Sequence, residues 1–319
     1  MPIFFLQRPN TMEAPDFAPP PLHPPPLLTD KQLFLLTRQG HLHLQLSPSL
    51  RVLYEQLSAA SASFFGQPTH VKIQEYPAAN PSETGYTNIG GEKEYITFHQ
   101  ATRPDHHPLE QLTGQVWQQT STLLYRVLAD LARAMGLAYG SWDSVLDGCL
   151  SMPPSRDEAT PTQLRTFDYS PNSGTAEAHT DLGLLTLCVG FGKGLQVLNQ
   201  DSRFPKSAQW IDVEGPTLFV GQVLRTMTGN RLRAGLHRVV GNPAGRQSIV
   251  FALRPSLRHD HTDLALFGGE GTLNMSELWA EIRSSRYSVN ARKKIRAEQK
   301  EHVRAKKGRW KSIWRPHDG

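Results

Sequence analysis

The chain has 319 residues, 38% of them apolar, and 25 glycines, a globular composition that excludes wholesale disorder. No stretch approaches the ~20 uninterrupted apolar residues of a membrane span, and the two cysteines, Cys149 and Cys188, exclude a disulfide scaffold and a cysteine-based zinc module and suit a reducing, cytoplasmic or nuclear, compartment. The net charge of +5 is segregated: residues 283–319 hold 13 Lys/Arg against 3 Asp/Glu, and the rest of the chain is net −5.

Residues 1–28 contain nine prolines, including Pro19-Pro20-Pro21 and Pro24-Pro25-Pro26. Rings that fix φ and remove donors favour extended polyproline conformations, so this segment reads as a mobile leader. Its first ten residues are too short and too broken by proline for a secretion signal. Residues 29–160 read as a mixed α/β region packing on a core. Thr29 or Asp30 caps a helix that Gly40 stops. HLHLQL (41–46) alternates as a strand, and Ser47-Pro48 starts a helix running to about Phe65. Residues 70–76 read as a strand. The longest helix spans 109–136, where Val116, Leu123, Leu124, Val127, Leu131 and Met135 recur at helical spacing. His99, His106 and His107 fall in a polar loop after Glu92-Lys93-Glu94-Tyr95 and read as surface residues, or as the lining of a substrate lid.

The texture changes at Gln163. LRTFDY, LLTLCVG, LQVLN, WIDV, TLFVG, HRVV and SIVFAL follow one another, separated by Gly, Asn and Pro. Short strands at this spacing predict a β-sandwich or barrel, taken as residues 161–256. Residues 257–319 return to helix near Ser276–Ser284 and again in the basic tail.

His179 and Asp181 lie two apart in AEAHTDLGLL, so on a strand they share a face. His237, in LHRVV, can add a third ligand from another strand. Two histidines and one carboxylate form the facial triad of non-haem Fe(II) oxygenases, although an H-x-D triplet alone also fits a surface turn. Arg246 and Ser248 are likewise spaced i, i+2. A guanidinium can hold a carboxylate bidentately while the neighbouring hydroxyl donates a further bond; the alternative is a salt bridge and a small strand residue.

With these residues together, the segment resembles the isopenicillin N synthase-like branch of the Fe(II)/2-oxoglutarate-dependent dioxygenases. The similarity runs through His179-Thr180-Asp181-Leu182-Gly183-Leu184-Leu185-Thr186-Leu187, Gly194-Leu195-Gln196-Val197, Trp210, Gly221, Thr228-Gly229, His237-Arg238-Val239-Val240 and Arg246-Gln247-Ser248-Ile249. A looser match at Gly85-Tyr86, Gly90 and Glu92 extends it toward the N-terminus. The resemblance implies a mainly β fold with flanking helices around a double-stranded β-helix (jelly roll). It also implies Fe(II) on His179, Asp181 and His237, and 2-oxoglutarate held by Arg246 and Ser248, with Tyr169 touching the cosubstrate or serving as a core aromatic. The implied reaction uses O2, releases succinate and CO2, and hydroxylates, desaturates or cyclises a small-molecule substrate.

Two alternatives remain at this level. One is an iron oxidase of the same fold that does not use 2-oxoglutarate. The other is a catalytically silent scaffold whose basic tail binds nucleic acid or an acidic partner; the same tail, with Ile295, Val303, Trp310 and Trp314 as its apolar stripe, also fits a helix packed on the body. This chain departs from the branch at Gln222, where an Asp is common, and at Phe167-Asp168-Tyr169, where Asn-Tyr-Tyr is common. Asp168 then either faces the iron or turns outward. Arg225, Arg231 and Arg233 precede His237; Arg233 shares its strand parity and either faces the pocket or sits on a solvated rim. Cys188 reads as a small core residue.

Overall fold

Thr29 opens the first helix of the computed structural model, which describes residues 23–79, 84–102, 107–158, 160–199, 208–259, 262–263, 267, 272–291 and 293–310. Its hydroxyl accepts from the Gln32 N–H while the Gln32 side chain accepts from the Thr29 N–H. This reciprocal cap starts α1 (Asp30–Gln39), and Gly40 ends it at φ 74°. Of HLHLQL only β1 (His41–His43) is a strand; Ser47 then accepts from the Leu50 N–H to start α2 (Pro48–Phe65). Residues 1–22 of the leader lie outside the described residues. Its end is held down, because the Leu27 and Leu28 N–H groups both donate to Asp130 Oδ2 at 2.8 Å.

Residues 70–76 are not the strand their Val/Ile alternation predicts. They belong to α3 (Thr69–Glu75). A strand would place Val71 and Ile73 on one buried face, but Ile73 is 53% exposed. The helical turn instead buries Lys72, whose Nζ donates to Phe65 O at 2.8 Å and to Glu94 at 2.6 Å. Tertiary contacts override the weak β preference of the branched residues. A hairpin, β2 (Gly85–Ile89) and β3 (Lys93–Phe98), follows, and then α4 (Pro108–Ala134).

The remaining jelly-roll strands are β4 (Gln163–Tyr169), β5 (Ala176–His179), β6 (Leu185–Phe191), β7 (Leu195–Asn199), β8 (Gln209–Asp212), β9 (Thr217–Val220), β10 (His237–Val239) and β11 (Arg246–Leu253), and a short pair, Thr262–Asp263 with Thr272–Leu273, stands apart from them. A short helix, α5 (Gln222–Met227), which the sequence reading missed, joins β9 to β10. The strands form a seven-stranded sheet, β1-β9-β6-β11-β4-β3-β2, and a four-stranded sheet, β5-β10-β7-β8. All pairings are antiparallel. This is the double-stranded β-helix with flanking helices.

Strand parity divides the two layers of core. On β11, Ile249, Phe251 and Leu253 join the larger core, shared with Tyr54 and Leu57 of α2 and with Trp117 and Leu124 of α4. Phe167 and Tyr169 of β4 and Cys188 of β6 face the other way, into a smaller core with Val197, Phe219 and Val239. Arg246, Ser248, Val250 and Ala252 share that inner face and line a chamber of about 70 Å³. After the jelly roll come α6 (Met275–Ser284) and α7 (Lys293–Trp310). Among the described residues no helix is long and apolar enough to cross a membrane.

Candidate metal centre and its inner chamber

His179 ends β5 and pairs with His237, the first residue of β10. Antiparallel pairing therefore sets the two imidazoles side by side, with ring centroids 4.3 Å apart. Asp181 does not lie on the strand, as the alternation of AEAHTDLGLL predicts, but two residues past it in a turn. That turn is clamped to α5. The Gln222 N–H donates to Asp181 O at 2.9 Å and the Val223 N–H to Leu182 O at 3.0 Å, using the free donors of a helix start. A Cβ on Gly221 would stand 2.1 Å from Gly183 O, so the close approach requires glycine. The result puts one ligand atom from each of His179, Asp181 and His237 within 4.8 Å of the others.

The tautomers are set from behind. His179 Nδ1 lies 2.7 Å from Glu177 O and His237 Nδ1 lies 3.1 Å from Gly235 O. Each Nδ1–H donates to its carbonyl, leaving the Nε2 lone pair on the cluster side. The Nε2 atoms lie 3.9 and 4.0 Å from Asp181 oxygens. Burial, and then the neighbouring His237, hold the His179 imidazole neutral below its usual range. Burial raises the Asp181 pKa, but His237 and His179 outweigh it, and the carboxyl stays below its usual range. Two imidazoles with Nε2 toward the cluster, His179 held neutral, beside an ionised carboxylate suit a divalent cation. Asp181 Oδ2 is buried without a hydrogen-bond partner, an uncompensated charge that such a cation would neutralise.

The second half of the chamber is also incomplete by itself. Arg246 is 4% and Ser248 1% exposed, and Arg246 Nε and Ser248 Oγ have no hydrogen-bond partner. Arg246 Nη2 reaches only Cys188 Sγ, at 4.0 Å. Room for the guanidinium comes from Gly190 on β6, where a Cβ would lie 2.1 Å from Arg246 Nη2. Tyr169 pairs with Arg246 across β4 and β11, and the guanidinium carbon lies 5.8 Å from its ring centroid. Burial pushes the Tyr169 phenol up, keeping it neutral. A buried, unpaired guanidinium beside a free hydroxyl is a receptor for a carboxylate.

The structure places the other residues singled out, and one of them, His99, needs correction. His99 is buried, with Nδ1 3.0 Å from Thr162 O, and is not a surface residue. His107 stands 3.1 Å from the Tyr76 hydroxyl, and His106 lies outside the described residues. Asp168 shares neither chamber; burial and Glu94 raise its pKa on the opposite face of β4. Arg233 lines neither chamber. Gln222, read only as a departure, donates its Nε2–H to Thr180 Oγ1 at 2.8 Å.

A wider cavity of about 650 Å³ opens from the cluster, sharing His179, Asp181, Arg165 and Arg254 with the inner chamber. The C-terminal segment walls it with Trp279, Arg286, Tyr287 and Val303. None of these four was singled out for the pocket from the sequence, because no local spacing links them to the jelly roll. Part of the basic charge of the tail is consumed here. Arg296 pairs with Glu92 at 2.6 Å and Lys300 with Glu177 at 2.5 Å. Val303 is buried while Ile295 is 44% exposed; Trp314 lies outside the described residues, as does the side chain of Trp310.

Comparison with known proteins follows the same outline. The model of the 2OG-Fe(II) oxygenase superfamily matches residues 159–255. The 2-oxoglutarate-dependent dioxygenase ecdG of Aspergillus rugulosus is 29% identical over 119 residues, 34% of this chain and 34% of that protein. The 2-oxoglutarate-dependent dioxygenase iboH of Amanita muscaria (strain Koide BX008) is 30% identical over 145 residues, 41% of this chain and 66% of that protein. The chain thus spans about a third of the first relative and about two thirds of the second. In fold it is similar to a full-length protein of Neurospora crassa in complex with alpha-KG, with TM-score 0.62, 20% identity and coverage of 80% of this chain and 90% of that one. It is similar also to a putative 2OG-Fe(II) oxygenase family protein from Caulobacter crescentus, with TM-score 0.63, 17% identity and coverage of 80% and 93%. Residues 159–255, which carry most of the jelly roll and the converging His-Asp-His cluster, thus match the 2OG-Fe(II) oxygenase superfamily.

Proposed function

We propose that this protein is an Fe(II)- and 2-oxoglutarate-dependent oxygenase that oxidises a small molecule. The observation that carries the reading is the pairing, in one chamber, of two complementary deficits. A buried carboxylate with two imidazoles lacks a cation, and a buried guanidinium and hydroxyl lack an anion. Iron with 2-oxoglutarate answers both. When bound, that pair supplies the oxidising power by activating O2 as the cosubstrate is decarboxylated to succinate and CO2.

In this reading His179, Asp181 and His237 hold the metal, and Arg246 and Ser248 hold the distal carboxylate of 2-oxoglutarate. Tyr169 lines the same wall as a neutral phenol. The carbonyls of Glu177 and Gly235 keep each Nε2 free for the metal. Gln222 and the start of α5 keep the Asp181 turn in register. The apolar walls of Phe167, Leu195, Phe219 and Val239 keep water from the chamber. The outer cavity, of about 650 Å³, suits a small molecule.

The test is an anaerobic Fe(II) titration with and without 2-oxoglutarate, followed by visible absorption. The reading expects a charge-transfer band only with both present, and its loss in His237→Ala. Iron binding without the band would instead indicate an oxidase that does not use 2-oxoglutarate. Absence of iron binding would overturn the enzyme reading.

A further inference from the structure

The outer cavity is electrostatically lopsided. Arg165, Arg254, Arg283 and Arg286 line it, and Asp181 is its single carboxylate among the described residues. Two of the four arginines serve the scaffold. Arg165 Nε donates to Thr97 Oγ1 at 2.7 Å, and Arg254 Nη1 donates to Pro161 O at 3.1 Å. Arg286 is different. It leaves the end of α6 and crosses the mouth, and its Nη1 donates to Thr180 Oγ1 at 2.7 Å. Thr180 sits between two residues of the metal cluster, and its hydroxyl already accepts from Gln222. The next residue, Tyr287, anchors the segment by donating to Glu177 at 3.0 Å.

No carboxylate of the described residues forms an ion pair with Arg286. Its hydrogen-bond partner is a neutral hydroxyl, and the nearby Arg225 adds a like charge. Burial, and then Arg225, lower its pKa, and the Asp181 carboxylate offsets them only in part. A planar fork with donors left over beside an open cavity is poised to receive a carboxylate. Apolar side chains, Leu182, Leu257, Trp279, Val289 and Val303, line the same cavity, interspersed with polar ones such as Gln163, Asn290 and Gln299.

We infer that Arg286 is the specificity-determining residue of the outer cavity and that the substrate is an organic monocarboxylate with an apolar body. Its carboxylate pairs with Arg286 and its body lies along Trp279 and Leu257, so that carbon atoms a few bonds from the acid face His179 and Asp181. This rests on the oxygenase reading for the chemistry but not for the binding, and the two are tested separately.

The experiment measures binding of four probe acids, phenylacetate, 3-phenylpropanoate, octanoate and decanoate, and of their neutral carboxamides. Ligand-observed NMR is used on the full chain loaded anaerobically with Zn(II) in place of iron and with 2-oxoglutarate. At least one acid is expected to bind 10-fold or more tighter than its amide. Arg286→Gln should abolish that preference, Arg286→Lys should keep part of it, and Arg304→Gln, an exposed charge on α7 outside the cavity, should leave it unchanged. Equal binding of acid and amide, no binding in either series, or a preference that survives Arg286→Gln overturns the inference. An Arg286-dependent acid preference in a protein that forms no succinate with iron and O2 would sustain it while overturning the oxygenase reading.

Discussion

The inner chamber is walled by strands that pair along most of their length, whereas its rim is laid on by residues 279–303, which join neither sheet. In the chamber, seven consecutive residues of β11 pair with β4 on one side and seven with β6 on the other, so Arg246 and Ser248 are positioned by backbone ladders. The rim depends on side chains: Arg286 on Thr180, Tyr287 and Lys300 on Glu177, and Arg296 on Glu92. Ladder geometry is cooperative and hard to deform, while a partly exposed ion pair such as Lys300–Glu177 contributes little and weakens with salt. The difference assigns precise chemistry to the strands and adaptable recognition to the rim.

The largest effect should come from breaking the chamber at its buried cation. Arg246→Met is expected to weaken 2-oxoglutarate binding by about 2–5 kcal/mol, as for truncation of a buried charged pair. The same change should raise the thermal stability of the ligand-free protein, because it removes a buried guanidinium without a carboxylate. Titration calorimetry and thermal melts check the two opposite signs, and a destabilised ligand-free variant would break the argument. Gly190→Ala should do similar damage by crowding, since its new Cβ would meet Arg246 Nη2 at 2.1 Å. About 1–3 kcal/mol of stability should be lost, with weaker 2-oxoglutarate binding, while Fe(II) binding persists.

Lys93 joins the two regions: its Nζ donates to Thr175 O at 3.0 Å and stands 5.3 Å from the Tyr169 ring. Burial, and then Arg296 of the rim, pull it down from 10.5 to about 7. Between these values the unfolded chain binds more protons than the folded one. The unfolding free energy should therefore rise with pH across this window, by about 1–2 kcal/mol from pH 7 to pH 9. Lys93→Met should flatten that rise in urea titrations at the two pH values. The smallest effect belongs to the rim. Glu177→Gln removes the charge that pairs with Lys300 and one of the two acceptor oxygens open to Lys300 and Tyr287, a partly exposed cluster worth about 1 kcal/mol or less. Global stability should hardly change, but hydrogen exchange across residues 286–303 should quicken. Unchanged exchange there would erase the proposed contrast between chamber and rim.

How much was legible follows the same boundary. His179 with Asp181 and Arg246 with Ser248 were found by a spacing of two, and the structure brings both pairs to one chamber. For Arg246 and Ser248 the reason was strand parity. For Asp181 it was not, because the residue lies past the strand and is held by α5. Residues 70–76 misled because Val71 and Ile73 carry a local β preference that the burial of Lys72 overrides. His99 was read as surface because β2 and β3 were not recognised as strands of the large sheet, and its burial depends on Thr160 and Thr162, some sixty residues later.

By itself the sequence determined what short-range physics controls. It set the capped ends of α1 and α2, the alternation that divides β4, β6 and β11 between two cores, and the H-x-D and R-x-S spacings. Only the tertiary structure decided which polar groups end up without partners and which distant residues reach them. Arg246 unpaired beside Gly190, Gln222 and Arg286 meeting on Thr180, and the basic tail spent on Glu92 and Glu177 all join residues 42 or more positions apart. The balance of burial and charge at such contacts is set by the packed fold, and no local pattern along the chain encodes it.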